Sequence, residues 1–293
     1  MKVSYSTVKI SYYSGTGNTA MAAEQFAAAF TDRGCVCFVE RITTGCDHSQ
    51  DDDCDLLLLL FPVHAFNAPE PVYRWLEALK PAAKTAAAVV SVSGGGDISP
   101  NTACRLSSIK RLTNKGYSVV YDTMLVMPCN VMVSTREPLA VRLLQVLPDK
   151  IRQAVNDIVS GSQRKRIPLW RDRLFSMLGE LEKPGGRLWG RHIRAGGACN
   201  GCGCCVRNCP AGNIAIVAGR PRFGGKCHMC LSCLYGCRQK ALVPGIGKFI
   251  ILKEGYDLNS LIKKVPLTEA VDVDQIAEGY LWSGVKKYLL ENR

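Results

Sequence analysis

Residues 8–19 of the 293-residue chain read VKISYYSGTGNT, an apolar run followed by a loop of glycines and hydroxyl or amide side chains. A stretch of helical composition, residues 20–33, follows this loop directly. A strand, a polar loop and a helix in this order gather backbone N–H groups and a helix N-terminus around one point, which is a geometry that holds a phosphate. The sequence therefore predicts a phosphate-binding loop over residues 14–19.

The sequence of this loop differs from two common nucleotide-binding loops. No Gly-Lys-Ser/Thr follows it, so it is not the loop of the P-loop nucleoside triphosphatases. Its glycines lack the GxGxxG spacing, which disfavours a Rossmann dinucleotide site. A Ser/Thr helix cap that binds no ligand stays open as the alternative.

The first 162 residues alternate apolar, β-rich runs with helical stretches, and we assign them to one domain. Five strands with intervening helices indicate an α/β fold with a doubly wound, five-stranded parallel sheet. The pattern also predicts an amphipathic helix over residues 136–159, which we expect Pro148 to break. The predicted strands are residues 8–13, 35–40, 56–62, 86–93 and 118–126, and the predicted helices are residues 20–33, 70–80 and 101–115.

The remaining residues divide into three parts by composition. Residues 163–197 are basic and form a bridging segment, with one short helix predicted around residues 171–181. Residues 198–245 form a small cysteine-rich domain. Residues 246–293 form a C-terminal extension, with a strand predicted at residues 248–252 and helices after it. Its apolar positions at helical spacing indicate packing on the body of the protein, with a dimer contact as the other interpretation.

The chain has fifteen cysteines, and eight of them fall in two runs with the same C-x2-C-x2-C-x3-C spacing. This is the spacing of bacterial ferredoxins. Three thiolates, each separated from the next by two intervening residues, bind one [4Fe–4S] cube. The fourth cysteine is too far along the chain to complete that cube, so it ligates the other one. Cluster one is therefore predicted to take Cys199, Cys202, Cys205 and Cys237, and cluster two Cys227, Cys230, Cys233 and Cys209.

Zinc is the alternative for CxxC pairs, but four zinc ligands do not explain the third and fourth positions of both runs. The residues at the N-terminus do not resemble a signal peptide, so we expect a cytoplasmic protein with reduced thiols. Cys204 lies outside the ligand register, and Arg238 stands where the second run often has proline. The six cysteines outside the runs have no ligand spacing, and we interpret them as small apolar residues.

The loop at residues 14–19 resembles the flavodoxin signature, a hydroxyl-rich S/T-x-T-G-x-T loop after the first strand. The resemblance implies FMN, with its phosphate held by that loop and its ring bordered by the loops after the third and fourth strands. Phe66 would then cover one face of the flavin, whereas the second of these loops has no nearby Tyr or Trp and leaves one face open. The implied FMN-binding residues are Ser14, Gly15, Thr16, Gly17, Asn18, Thr19, Pro62, Val63, His64, Ala65, Phe66, Asn67, Ser93, Gly94, Gly95 and Gly96.

His64 is the candidate catalytic residue, as a proton donor to the reduced flavin. A histidine beside a ligand loop more often fills space or bonds to the backbone, and that interpretation stays open.

The two halves together resemble the flavodoxin–ferredoxin fusion proteins of anaerobic bacteria and archaea. The resemblance covers most of residues 5–245 and includes Met127-Pro128-Cys129-Asn130 after the fifth strand. It implies FMN, two [4Fe–4S] clusters and electron transfer in anaerobic metabolism. The alternative is an FMN-dependent reductase that reduces a small electrophile at the open flavin face, with electrons supplied through the clusters. No second nucleotide motif is present, which disfavours direct oxidation of NAD(P)H.

The formal net charge of the chain is +12, and residues 164–194 hold nine Lys or Arg against three acids. Two oxidised clusters and one FMN phosphate would each add about −2, which leaves a charge of about +6. We therefore expect an acidic redox protein, a ferredoxin or a flavodoxin, to dock on this basic face. A solvated structural face is the alternative, and nucleic acid is disfavoured. No apolar run approaches the roughly 20 residues of a transmembrane helix, and the sequence leaves the oligomeric state open.

Overall fold

The computed structural model describes residues 4–45, 54–162, 167–179, 182–267 and 272–291. Of the helices in these ranges, none combines the length and the apolar character that a membrane crossing requires. Two of our predictions, those for Cys46 and for the first arginines of the basic bridge, lie outside the described residues.

A single five-stranded sheet organises the first half of the chain. Its strands are β1 (Thr7–Tyr12), β2 (Val36–Arg41), β3 (Leu56–Pro62), β4 (Ala86–Ser93) and β5 (Ser118–Val126). The strands are ordered β2-β1-β3-β4-β5, and all neighbouring pairs are parallel. This is the order of a flavodoxin-like doubly wound sheet, so the predicted fold class is confirmed.

Helices cover both faces of the sheet because its central strand is apolar on both sides. Leu56, Leu58 and Leu60 of β3 pack on one face, while Leu57 and Leu59 pack on the other. The first face is covered by α1 and α4, and the second by α2 and α3. The helices are α1 (Asn18–Thr31), α2 (Glu70–Ala78), α3 (Leu106–Asn114) and α4 (Glu137–Val159).

The prediction that Pro148 breaks the fourth helix is wrong, because α4 runs from Glu137 to Val159 with Pro148 inside it. Apolar side chains on both sides of the proline, including Leu144 and Ile151, are buried in the same core. Burial of these side chains outweighs the hydrogen bond that a proline removes. The predicted third helix also differs, since its first turn, Asn101–Ala103, is a 3-10 helix.

The described part of the basic bridge, residues 167–179 and 182–197, contains two helices where the sequence predicted one. They are α5 (Trp170–Gly179) and α6 (Glu182–Arg191). The second helix was not predicted, because Pro184 and the two glycines after it are residue types typical of a loop. Proline is nevertheless compatible with the first turn of a helix, which is where Pro184 lies.

The cysteine-rich region is a small α+β unit, as predicted. Two strands at its ends, β6 and β9, pair antiparallel and bring residues 193 and 244 together. A hairpin of β7 and β8 lies between them. The elements are β6 (Ile193–Ala195), α7 (Cys204–Arg207), β7 (Ile214–Val217), β8 (Arg220–Phe223), α8 (Ser232–Tyr235) and β9 (Leu242–Pro244).

The C-terminal extension is helical and returns to the first half of the chain. The strand predicted at residues 248–252 is wrong, since Lys248–Ile250 form a 3-10 turn after Gly247, whose φ is +62°. A left-handed residue at this point turns the chain out of an extended path. The helices are α9 (Leu258–Lys264), α10 (Val273–Ile276) and α11 (Ser283–Leu290), with 3-10 turns at Val265–Leu267 and Tyr280–Trp282.

The last helix packs on the edge of the sheet through apolar side chains. Val285 and Leu289 of α11 share a buried cluster with Val126 of β5 and Leu139 of α4. The side chain of Leu258 enters the core formed by α1 and α4. The domain boundaries proposed from composition stay predictions.

A buried arginine ties the sheet to the loop after β4. Arg105 is 2% exposed. Its guanidinium donates to Asp122 Oδ1 at 2.7 Å, to Ser91 Oγ at 2.9 Å and to Asp97 Oδ2 at 3.2 Å. These bonds join α3 to β4, to β5 and to the loop that follows β4.

Replacement of this arginine by an apolar residue is expected to be strongly destabilising. Arg105→Met removes the ion pair of the buried Asp122 carboxylate, and breaking a buried pair from one side costs about 3–5 kcal/mol. The free energy of unfolding in urea measures it. Arg152→Met is the matched control, because the pair of Arg152 with Asp149 is exposed and its loss costs about 1 kcal/mol or less. Equal effects of the two variants would show that the buried network adds no stability.

Candidate functional site

A cavity of about 370 Å³ lies at the carboxyl ends of the parallel strands. This is the edge at which open α/β sheets bind ligands, and the volume is within the range of about 300–1,000 Å³ that is typical of ligand pockets. Four loops of the sheet form most of the wall, and two segments of the C-terminal half complete it. The lining residues are 14–16, 18–19, 62–65, 92–94, 128–132, 229–231 and 249–250.

The loop after β1 has the geometry of an anion-binding turn. Gly17 caps α1 with a φ of +104°, a conformation that favours glycine. The Asn130 side chain donates to Thr16 Oγ1 at 2.5 Å, and the Asn18 side chain donates to the Pro128 carbonyl at 2.9 Å. The loop is thus held to the segment after β5, with hydroxyls and the start of a helix facing the cavity. Such an arrangement can hold a phosphate.

The second cysteine run lies directly against this loop. A Cβ atom on Gly15 would lie 2.1 Å from the carbonyl oxygen of Cys230 and 2.9 Å from its Cβ. No side chain fits in that space, so the contact requires glycine at position 15. Met229, Cys230 and Leu231 consequently form one wall of the cavity.

Hydrogen bonds fix the cysteine-rich region to two other loops of the sheet. The backbone N–H of Thr44, after β2, donates to the Pro210 carbonyl at 2.8 Å. The Tyr235 hydroxyl donates to the Asn130 carbonyl at 2.9 Å. The position of the cysteine-rich region over the cavity therefore rests on contacts with the loops after β1, β2 and β5.

A fully buried tyrosine lies between the sheet and the second cysteine run. The Tyr13 hydroxyl makes no hydrogen bond of ordinary geometry with the described residues, and it interacts with the Cys230 thiol. Burial raises the pKa of Tyr13 well above its ordinary value, so the hydroxyl keeps its proton. An O–H beside a sulfur stabilises a thiolate more than a thiol. The orphaned hydroxyl therefore fits a metal-bound sulfur at Cys230.

The eight cysteines of the two runs fall into two groups in space. Cys209 lies close enough to Cys227, Cys230 and Cys233 that a negative charge on its sulfur raises the pKa of each of them. Cys237 in turn lines one small cavity with the first three cysteines of the first run. Each fourth cysteine thus lies beside the other run, and ligation itself stays a prediction.

Burial opposes ionisation of the first three thiols of the second run. Burial raises the pKa of Cys227 to about 12 and also raises the pKa values of Cys230 and Cys233. Three backbone N–H groups nevertheless point at the sulfurs of Cys209, Cys227 and Cys237, at 3.3–3.4 Å. Hydrogen bonds of this kind stabilise a sulfur that carries negative charge, as a metal-bound thiolate does.

Within the described ranges, no three His, Cys, Asp or Glu side chains are placed to hold a single metal ion. The ligands of a [4Fe–4S] cube bind four different iron atoms, so they do not converge on one point as the ligands of a zinc ion do. The donor set, two groups of four thiols with N–H groups at their sulfurs, fits cubes better than single ions.

Five of the sequence-predicted FMN residues are not part of the cavity wall. The Phe66 ring packs on Phe175 of α5 with 5.8 Å between the ring centroids. The Asn67 side chain is buried, and its amide donates to the Ser176 carbonyl. The backbone of the loop after β4 turns towards α11, and a Cβ on Gly96 would lie 2.7 Å from Gly284. The five residues that are not part of the cavity wall are Gly17, Phe66, Asn67, Gly95 and Gly96. The other predicted FMN residues line the cavity.

Residues that the sequence analysis did not select also line the cavity. Phe249 and Ile250, from the 3-10 turn after β9, line the cavity together with the sheet loops. Phe249 is 70% exposed, and its ring brings an aromatic group to the cavity wall. The Met132 N–H donates to the Ile250 carbonyl at 3.0 Å, which joins this turn to the loop after β5. The strand predicted over residues 248–252 concealed this position in the sequence.

His64 lines the cavity. Its backbone forms a two-way bridge with Asn67, at 2.9 and 2.8 Å, and its ring lies edge-on to Tyr13 at 6.5 Å. The imidazole is thus held beside the candidate cofactor site, and its role as a proton donor stays a prediction.

Comparisons with known proteins give no family and several partial structural matches. No family model matches the chain, and no curated protein matches it. Among solved structures, a flavodoxin from the domain Archaea is 12% identical over 52% of this chain and 98% of its own, with a TM-score of 0.37. A Streptococcus pneumonia TIGR4 flavodoxin is 18% identical over 52% and 99%, with a TM-score of 0.38. Two-electron reduced Megasphaera elsdenii flavodoxin is 22% identical over 40% and 84%, with a TM-score of 0.35. The fold assignment rests on the strand order and not on these matches.

The contact at Gly15 makes a prediction that does not depend on any cofactor. Gly15→Ala places a Cβ 2.1 Å from the Cys230 carbonyl, so the 229–231 segment has to move away from the loop. Amide hydrogen exchange of residues 227–235 is expected to become at least tenfold faster, as measured by mass spectrometry. Gly185→Ala is the control, because a Cβ there meets no atom within 4 Å. Exchange that stays unchanged in Gly15→Ala would contradict the close approach.

Proposed function

We propose that the protein is an electron-transfer protein that binds FMN in the cavity and two [4Fe–4S] clusters on its cysteine runs. It links one-electron carriers to two-electron chemistry in anaerobic metabolism. The observation that supports this most strongly is the shared wall, since residues 229–231 of the second cysteine run line the same cavity as the loop at residues 14–19. When bound, FMN supplies one- or two-electron chemistry and each cluster supplies one-electron transfer.

The chain offers FMN a phosphate loop and an apolar wall. Ser14, Thr16 and Thr19 bring hydroxyls to the cavity beside the start of α1. Phe249 and Met132 add apolar surface to the wall of the same cavity. A terminal phosphate and a flat ring suit this division of the wall. No second nucleotide motif is present in the sequence, which favours FMN over FAD.

The second cysteine run is positioned to bring a cluster close to this cavity. Cys230 is held against Gly15 by its backbone and against Tyr13 by its side chain. The contact with Tyr13 is shielded from solvent, because Tyr13 is fully buried. The chain thus offers a short route between the FMN cavity and the second cysteine run.

A reductase that acts on a small electrophile is the second candidate. It is favoured by His64, which lines the cavity and could supply a proton to a substrate there. The two functions differ in their requirements, because a reductase consumes a small substrate without a protein acceptor. Turnover with small electrophiles in the absence of any acceptor protein would favour the reductase.

The phosphate loop is tested by removal of two hydroxyls. Thr16→Ala combined with Thr19→Ala removes two hydrogen bonds to the phosphate, each of about 1.5–3 kcal/mol. We expect FMN affinity to fall by tenfold or more in a fluorescence titration of the apoprotein. Thr113→Ala is the control, because the hydroxyl of Thr113 donates to the Ile109 carbonyl on an exposed helix surface. Unchanged affinity in the double variant would sink the assignment of this loop.

The clusters and their crosswise ligation are tested together. Anaerobically purified protein is expected to contain one FMN and two cubes per chain, by flavin, iron and sulfide assays. Cys209→Ala should damage the cluster held by residues 227–233 more than the one held by residues 199–205, as resolved by electron paramagnetic resonance. Cys204→Ala, outside the ligand register, is the control. Loss confined to the cluster of residues 199–205 would falsify the crosswise pattern, and wild-type protein without iron would exclude the function.

A further inference from the structure

Helix α5 carries an apolar stripe that faces the solvent. Trp170, Leu174, Met177 and Leu178 are 76%, 53%, 70% and 61% exposed. Their spacing of four, seven and eight residues places them on one side of a helix. A contiguous exposed stripe of large apolar side chains marks an interaction site more often than a chance feature of the surface.

The opposite side of α5 is polar and buried, which is the reverse of an ordinary surface helix. The Asp172 side chain is fully buried. It accepts a hydrogen bond from Ser99 Oγ at 2.6 Å and another from the Thr102 N–H at 3.3 Å. The Ser176 hydroxyl donates to Asn67 Oδ1 at 2.5 Å. These bonds fix the rotation of the helix, so the apolar stripe faces outward because the polar side is held inward.

Two arginines border the stripe. Arg171 and Arg173 are both exposed, and at about 100° per residue they project on either side of the line through Trp170 and Leu174. The stripe is therefore an apolar centre with positive charge at its edges. Trp, Met and Arg are the residue types enriched in protein–protein interfaces and their hot spots.

The stripe lies beside the candidate cofactor cavity. The Phe175 ring contacts the Phe66 ring, and a Cβ on Gly179 would lie 1.9 Å from the Ala65 carbonyl oxygen. Ala65 itself lines the cavity. A protein bound to the outer side of α5 would therefore be one helix away from the loop that borders the cavity.

We propose that the outward side of α5 is the docking surface for an acidic electron-carrier protein, an inference that rests on the proposed function. The apolar centre would be covered by an apolar patch of the carrier, and Arg171 and Arg173 would pair with carboxylates around that patch. The formal net charge of +12 attracts an acidic protein over a longer range. A second copy of this chain fits the surface less well, because a two-fold contact would bring like-charged arginines together.

Matched leucine variants test the surface. Leu174→Gln removes apolar area from the stripe, and Leu188→Gln is the control, because both leucines are 53% exposed and Leu188 lies on α6. The probe is an acidic bacterial 2[4Fe–4S] ferredoxin. We expect Leu174→Gln to lower its binding constant and its second-order rate of flavin reduction about five- to tenfold. Leu188→Gln is expected to leave both unchanged, and neither variant should alter reduction by dithionite.

Charge reversal tests the arginine border. Arg171→Glu with Arg173→Glu is expected to slow reduction by the same ferredoxin at least tenfold at low salt. The difference from wild type should shrink at high salt, because screening shortens the range of the interaction.

Equal effects of Leu174→Gln and Leu188→Gln would overturn the proposal.

Two other outcomes would also overturn it. One is wild-type protein that sediments with phosphatidylserine vesicles through this stripe, while loss of the stripe leaves ferredoxin binding unchanged. The other is self-association that only Leu174→Gln abolishes. Calorimetric titration with oxidised ferredoxin requires no electron transfer. If the purified protein lacks iron, the proposed function is excluded. Loss of ferredoxin binding in Leu174→Gln would in that case still support the docking surface.

Discussion

The approach of the Cys230 carbonyl to Gly15 is the constraint on which the arrangement of the protein depends. A side chain at position 15 would begin 2.1 Å from that oxygen, so the loop after β1 and the second cysteine run can meet only at a glycine. Because they meet, one cavity has walls from both halves of the chain. The fold of the sheet supplies the loop, and the cysteine-rich region covers it.

Several weaker contacts keep this arrangement in register. The Tyr235 hydroxyl bonds to the loop after β5, and the Thr44 N–H bonds to Pro210. The bridge between the halves is also held in place. Asp172 of α5 is bonded to the loop after β4, and Ser176 of α5 is bonded to the loop after β3. The polar side of α5 is used for these bonds, which leaves its apolar side exposed. The hydrogen bonds that hold the bridge thus also fix the direction in which the stripe faces.

The sequence predicted those features that depend on local pattern. The five leucines from Leu56 to Leu60 indicated a strand buried on both faces, and the structure has it at the centre of the sheet. The effect of Pro148 could not be predicted, because it depends on burial by partners distant in the chain. Phe249 was missed for a similar reason: its turn is set by Gly247 and by a hydrogen bond to Met132. The FMN and cluster ligands stay predictions, although the structure brings most of these residues together.

The central claim is that electrons pass within one chain between the cluster on the second cysteine run and FMN in the cavity. Stopped-flow reduction of the anaerobic protein tests it, with flavin absorbance followed after rapid reduction of the clusters over a wide range of protein concentrations. The contact between Gly15 and the second cysteine run predicts a first-order rate that does not depend on protein concentration. A rate proportional to concentration would mean that electrons pass between molecules, and would contradict the account.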